Sequence, residues 1–411
     1  MTQVSQHRHM PQRMMHVRGA NRALVLQVLR KNPHLSRAEL ARRTGLSEGA
    51  VSRITAELLL EKLIFEQGSE NSTGGRPGQR LDLDATHYRS VGVEVHEWQT
   101  RVSAGTLSGE IVETEWFRTP ESATDTLDQI AARVLSSRDR HPSHPILGVG
   151  ISLRGIIDDE RGAVKLGSTP QWTGVRVTEY LQERIGIPVH VENNVRVAAL
   201  AEYTYGGTEI HNSRCLLLVR VDEGVGLGIV LNGELYRGPR RAAGEFGQMV
   251  VADSPGGGAH DRPGSLERLA ANPAIASRYA ALAQNGKAGR GDTESRVRTI
   301  CHLAMQGDPH AAFAVREAMR YLGIGVANAV WTLDPDVVLV HGAVTEAWPL
   351  VMRAIQEQFP TGQEIPHFRD LILRPCALGQ DSGIIGAMAL PFVSIFATGH
   401  VCEPVAAAAR T

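Results

Sequence analysis

The feature that most constrains this chain is a run of helix-terminus signals between residues 36 and 58. Ser36-Arg37-Ala38-Glu39 has capping-box spacing, in which the serine oxygen accepts from a backbone N–H and the glutamate reaches back to the cap. Leu40 and Ala41 follow as a buried face, and Thr44-Gly45-Leu46-Ser47 supplies a glycine for a left-handed residue and then a second N-cap. Ala50, Val51, Ile54 and Leu58 repeat on one face of the next segment. Two helices joined by a tight turn are therefore predicted. Ahead of them, Leu24, Val25, Val28 and Leu29 predict an amphipathic helix over Asn21–Lys31, stopped at Asn32-Pro33. Behind them, strand-like runs at Leu63–Glu66 and Arg80–Leu83 flank a tip containing Asn71, Gly74, Gly75, Arg76, Pro77 and Gly78.

This order predicts a winged helix-turn-helix over residues 20–85, preceded by a flexible arm at residues 1–19. Its third helix exposes Glu48, Gly49, Ser52, Arg53 and Thr55, the face such a unit lays in the major groove, with Arg53 the foremost base reader. Ser36 and Ser47 at the helix starts, and Gly75 and Arg76 in the tip, complete the candidate DNA-binding set; Arg76 is placed to enter a narrow minor groove. Charge agrees. Residues 1–80 hold 13 Lys and Arg against six Glu and no Asp, whereas the remainder holds 30 against 38, so only the head suits a polyanion. The bland alternative is a three-helix protein-contact unit with a solvated loop. Metal binding by His7, His9 and His16 is the weaker reading of the arm.

At 411 residues, with 42% hydrophobic and 21% charged side chains, the chain predicts two or three folded domains rather than disorder. Cys215, Cys301, Cys376 and Cys402 form no CxxC pair, which excludes a disulfide framework and a cysteine zinc site and fits a reducing cytoplasm. His7, Arg8, His9, Arg13, His16 and Arg18 break up the first turns before any apolar run, so a basic-then-apolar leader is not expected. The apolar run Gly383–Val401 approaches membrane-span length but is interrupted by Gly386, Pro391, Ser394 and Gly399 and lacks flanking cations, so it predicts a buried terminal helix.

From Ser90 the pattern changes to alternating strands and helices: Val91–His96, Arg101–Leu107, Glu110–Glu115, a helix near Thr124–Ser137, and a strand at Ile146–Ser152. An α/β body with a central mixed sheet is predicted. Val189–Asn194 reads as a strand delivering polar residues to its carboxyl end, where open α/β sheets bind ligands.

Three stretches then carry a resemblance: Pro188–Glu192 with Asn193-Asn194 opening a helix, Glu223–Gly228 followed by Asn232-Gly233, and Ala243–Gln248. With Gly264–Glu267, Asp334–Val338, Gly383–Ala387 and Gly75-Arg76-Pro77 in register, the chain resembles the ROK family of repressors and sugar kinases. Within it, the match is to the winged-helix branch of sugar-responsive repressors, of the xylose- and N-acetylglucosamine-repressor kind. The resemblance implies a bilobal, actin-like ATPase or sugar-kinase-type fold, with one lobe at residues 86–197 plus 385–411 and the other at residues 198–384. It implies a sugar in the cleft, and the family's sugar-contacting motif positions fall on Asn193, Asn194, Glu245, Gln248 and Glu267. It further implies a homodimer or homotetramer on a palindromic double-stranded operator.

Departures from the family pattern set the expected chemistry. Asn194 stands where the kinases carry the aspartate base, and an amide cannot take the sugar hydroxyl proton. Glu94–Gln99 replaces the phosphate-cradling turn, and Asp222-Glu223 adds negative charge near the expected γ-phosphate. Catalytic residues and ATP are therefore not expected. Gln248 replaces the zinc histidine, and Ser254–Ser265 offers only His260 and Asp261, so no metal is expected, and the loop Pro255–Gly264 must be ordered by packing or by ligand. The competing readings are a ROK sugar kinase with an added head, or a ligand-independent repressor with a vestigial cleft. Glu245 and Glu267 can also be read as surface or capping acids and Asn193 as a helix cap. Arg237, Arg240 and Arg241 are read as a solvated charged loop in preference to a phosphate site.

Overall fold

The computed structural model describes residues 12–68, 79–253, 262–283, 291–359 and 370–398. Helix α1 spans Gln12–Lys31, so it starts well ahead of Asn21 and takes up residues 12–19 of the expected arm. The physical reason lies in ion pairing rather than apolar periodicity. Arg18 and Arg22 reach Glu57 at 2.5 and 3.0 Å, and Arg22 also reaches Glu61, so polar residues that interrupt the apolar stripe are tethered to the third helix.

Strand β1 (Leu35–Ser36), α2 (Arg37–Thr44) and α3 (Glu48–Leu60) follow, then β2 (Ile64–Gln67) and β3 (Arg80–Leu83). The capping box forms in both directions at Ser36 and Glu39, Gly45 sits at φ 70, and Ser47 accepts from the Ala50 amide. The wing sheet has the order β1-β3-β2, with Leu81 opposite both Leu35 and Glu66. The two-residue β1 is not legible in sequence because it overlaps the cap of α2.

The body contains two five-stranded mixed sheets built to one plan. The first runs β10-β7-β4-β5-β6, from β4 (Arg89–Val95), β5 (Gln99–Gly105), β6 (Ile111–Arg118), β7 (Ile146–Leu153) and β10 (Val189–Asn193). Helices α4 (Ala123–Arg140) and α5 (Val177–Ile185) and the hairpin β8 (Gly155–Asp158) and β9 (Ala163–Gly167) accompany it. After α6 (Asn194–Tyr205) and α7 (Thr208–His211), the second sheet runs β13-β12-β11-β14-β15. Its strands are β11 (Cys215–Val221), β12 (Val225–Leu231), β13 (Glu234–Leu235), β14 (Val337–His341) and β15 (Ile372–Pro375). Helices α8 (Leu266–Ala270), α9 (Asn272–Leu282), α10 (Thr293–Met305), α11 (Pro309–Leu333) and α12 (Trp348–Gln356) belong to that half, and the chain returns to the first sheet through α13 (Ser382–Thr398).

Helix α13 lies on β4 and β7, α6 lies on β11 and β12, and the two helices pack against each other between the sheets. The approach is close. A Cβ on Gly150 would stand 1.8 Å from the Ala387 carbonyl oxygen, so only glycine admits the helix there. Ile384, Ala387 and Met388 are buried, as a terminal core helix requires, and among the described residues no helix is long and apolar enough to cross a membrane. The same helix also completes the head: Phe392 and Ile395 join Val25, Leu29, Ile54, Leu58 and Leu81 in one hydrophobic core. Head and body are thus packed as one unit, with α1 seated on α13.

Candidate functional site

On the head, Ser47, Glu48, Gly49, Ser52 and Arg53 are exposed along one side of α3. Arg53 makes no ion pair or hydrogen bond among the described residues, so its guanidinium is free for a base edge or phosphate. Ser36 is occupied: its hydroxyl donates to Glu39 Oε2 at 2.8 Å and accepts from the Glu39 amide at 3.3 Å. The Ser36 backbone N–H, 2.8 Å from Glu39 Oε2, and after it the Ser36 hydroxyl hold the Glu39 carboxyl below its usual range.

Thr55 corrects the expected exposed face, because it is fully buried. Positions 51, 55 and 58 fall on one helical stripe, and the small hydroxyl side chain there accepts from Arg37 Nε at 3.2 Å and donates to the Ser52 carbonyl. It therefore positions Arg37, which also bonds Glu66 of the wing at 2.6 Å and was missed by the sequence reading. Gly75 and Arg76 lie outside the described residues.

In the body, Asn193, Asn194, Glu245, Gln248 and Glu267 line one cavity of about 350 Å³, shared with Arg154, Ser168 and Asp222. Five positions from three separate segments thus converge, because β10, the loop after β13 and the start of α8 all end at the same cleft. Asn193 takes the capping role: its Oδ1 accepts from the Val195 and Arg196 amides, and its Nδ2 donates to the Gly155 carbonyl at 2.9 Å. That leaves the adjoining Asn194 amide at the cavity wall with no hydrogen bond among the described residues. Glu267 accepts from the Val225 amide at 3.2 Å. The Glu245 carboxyl keeps a solvent-exposed edge, yet burial raises it above its usual range; Arg196 opposes the rise and Glu267 adds to it.

Behind these side chains lies an ion network that the sequence did not announce. Glu192, 1% exposed, accepts from Arg196 at 3.2 Å and from Arg237 at 2.6 Å. Asp159 pairs with Arg237 at 3.1 Å and Arg241 at 3.2 Å, and Arg241 also pairs with Glu160. The expected solvated loop is thus corrected for Arg237 and Arg241, whose charges tie the segment before Glu245 to the β8–β9 hairpin. Arg240 alone of the three is exposed without such a pair among the described residues. The signal for this network is Glu192–Arg196 at i,i+4, which a charge-spacing scan detects.

A second polar cluster occupies the ends of β4, β11 and β14, where the resemblance places nucleotide phosphates. Glu94, 5% exposed, lies 3.6 Å from Arg220 and 3.5 Å from His96, and Arg220 lies 3.5 Å from Asp222. Burial alone would raise the Glu94 carboxyl, but the His96 hydrogen bond and the Arg220 charge bring it down to about 2. His341 beside them is driven down to about 3, first by burial and then by Arg220. A Cβ on Gly383 would stand 2.2 Å from Glu94 Oε1, so the glycine makes room for a carboxylate. The cluster thus sets two carboxylates, Glu94 and Asp222, around the single guanidinium of Arg220. Nor do the described residues contain any group of three or more His, Cys, Asp or Glu able to hold a metal ion.

Residues 90–392 match the ROK family model, and residues 21–64 match a winged helix-turn-helix DNA-binding model. The chain is 26% identical over 376 residues to the xylose repressor of Bacillus subtilis, covering 90% of this chain and 94% of that one. It is 28% identical over 359 residues to the DNA-binding transcriptional dual regulator NagC of Escherichia coli, covering 86% and 87%. Among solved structures, a ROK family transcriptional regulator described as a homolog of the E. coli MLC protein superposes with TM-score 0.76 at 23% identity, covering 94% of this chain and 100% of that one. A ROK family glucokinase from Streptomyces griseus, in complex with glucose and AMPPNP, superposes with TM-score 0.62 at 28% identity, covering 74% of this chain and 98% of that one.

Proposed function

The chain belongs to the ROK family and carries a winged helix-turn-helix head, and from that premise we propose that it is a DNA-binding transcriptional repressor released by a sugar bound between its lobes. The observation that carries this reading is physical continuity between cleft and head. Helix α6 begins at Asn193 and Asn194 on the cleft wall and, at 1.5 Å per residue, ends roughly 18 Å away at Tyr205, beside α13 and α1. A ligand that draws Asn194, Glu245, Gln248 and Glu267 together shifts α6 against α13. Because α13 completes the head's core, that shift reaches the recognition helix.

The sugar derepresses only if it binds the DNA-incompetent arrangement more tightly, since a ligand with equal affinity for both states shifts nothing. A homodimer or homotetramer acting in the cytoplasm on a two-fold-symmetric operator is the assembly this reading requires, with Arg53 reading bases and Arg76 tracking the wing's groove. Phosphoryl transfer is not part of it. Asn194 cannot accept the hydroxyl proton, the Glu94–Arg220–Asp222 cluster opposes a polyphosphate, and Gln248 lacks the donor a structural zinc needs.

Fluorescence anisotropy on DNA upstream of the chain's own gene, at fixed salt and across a sugar panel, tests the proposal. Tight binding released by one sugar is expected. Sugar-stimulated ADP release from ATP would overturn it in favour of a kinase, and specific binding that no sugar alters would reduce the cleft to a vestige.

A further inference from the structure

A second cavity, of about 280 Å³, lies in the joint between head and body, on the far end of α6 from the cleft. Its walls include Arg30 of α1, Leu83 of the wing, Thr204 and Tyr205 of α6, and Phe392 and Phe396 of α13. All but Arg30 and Thr204 offer largely apolar or already bonded surface; the Tyr205 hydroxyl, for example, donates to the Leu107 carbonyl at 3.0 Å.

The two polar members are unsatisfied. Arg30 is mostly enclosed, makes no ion pair or hydrogen bond among the described residues, and has its buried Nε without a partner. Its guanidinium lies over the Phe396 ring, with Cζ 4.9 Å from the ring centroid. The Thr204 hydroxyl, buried on the same wall, also has no partner among the described residues. Burial lowers the Arg30 pKa, but an arginine does not surrender its proton in a protein, so the charge persists. An enclosed cation without a counter-charge is costly, and among the described residues the charges that act on Arg30 are the phenols of Tyr205 and Tyr203 rather than a carboxylate.

From this arrangement we propose that the joint is a second ligand site, taking a small carboxylate with an apolar body, the carboxylate on Arg30 and Thr204 and the apolar part against Leu83, Phe392 and Phe396. The chemistry follows from the inventory. A guanidinium and a hydroxyl recognise one anionic group, and aromatic and aliphatic walls recognise a hydrocarbon. A sugar is a poor occupant because its hydroxyls would find two partners and otherwise dry walls. Since Arg30 and Leu83 belong to the head while Thr204 and Phe392 belong to the body, occupancy cross-links the two and alters the head's freedom independently of the cleft.

Octanoate, kept below its micellar concentration, is the probe, with octan-1-ol as the uncharged control of equal chain length. Titration of the full-length protein, followed by thermal shift and calorimetry, should give saturable stabilisation by octanoate and binding roughly ten- to hundredfold weaker for octan-1-ol, the range expected for one charge-assisted contact. Arg30→Met should bring octanoate down to the level of the alcohol. That variant should fold, because it removes an unpaired buried charge. Arg30→Lys, which keeps the charge, should retain the preference for the carboxylate. No saturable response to octanoate, or an equal response from wild type and Arg30→Met, overturns the proposal.

Discussion

His341 should make the body sensitive to acid well above the pH at which the neighbouring Glu94 protonates. The ring is 8% exposed at the end of β14 and is held from 6.5 down to about 3, first by burial and then by the Arg220 charge, while Glu94 and Asp222 pull the other way and lose. In the unfolded chain the imidazole regains its ordinary value, so below pH 6.5 the unfolded state binds a proton that the folded state refuses. Stability is therefore intact above that pH and falls as the pH drops toward the folded value. At about 1.4 kcal/mol per unit, lowering the pH from 7 to 5 removes about 2 kcal/mol through this one group. Glu94 behaves differently. Held at about 2 against 4.5, it contributes stability that is present above 4.5 and is lost only below it, so it removes just a few tenths of a kcal/mol in the same window. His341 dominates. Urea midpoints followed by tryptophan fluorescence at pH 7 and pH 5 should show wild type losing about 2 kcal/mol more than His341→Gln. Equal losses would refute the claim that a neutral, desolvated ring sits beside Arg220.

Further expectations follow from the same geometry. Arg53→Ala should weaken operator binding roughly five- to 150-fold at constant salt, worth about 1–3 kcal/mol, with unchanged thermal stability because Arg53 has no partner within the described residues. Thr55→Val should lower both DNA affinity and stability, the latter by about 1–3 kcal/mol, because it leaves Arg37 Nε without its acceptor; thermal melts and anisotropy measured together check this. Gly150→Ala should destabilise the body by at least about 1–3 kcal/mol in urea, since the added methyl meets the Ala387 carbonyl. Glu192→Leu should cost about 3–5 kcal/mol and weaken the cleft's ligand, because it strands the buried Arg196 and frees Arg237; a conservative Glu192→Asp should recover part of both in the same melt and titration.

Legibility varied with the range of the forces involved. The caps at Ser36 and Ser47 and the turn at Gly45 were readable because each is satisfied within four residues of chain. The cleft set was readable only as ordered motifs; nothing local says that Asn194 and Glu267 share a cavity. Thr55 was misplaced by treating a polar side chain as an exposed one, when its helical phase beside Val51 and Leu58 put it inside. Asn193 lines the cleft, while its side chain is consumed by the cap of α6 and by Gly155, which is the capping alternative its place in the sequence also allows.

What the sequence by itself determined is the head's order of elements, the α/β character of the body and the identity of the residues facing the cleft, since periodicity, caps and motif order are properties of neighbouring residues. Tertiary structure decided which of those residues are free to act. Arg237 and Arg241 are neutralised by Asp159, Glu160 and Glu192; Glu94 is admitted by Gly383; and the head's core is closed by Phe392 and Ile395, more than 300 residues along the chain from Ile54. Burial and charge pairing depend on what the rest of the chain brings into contact, and those distances exist only once the chain has folded.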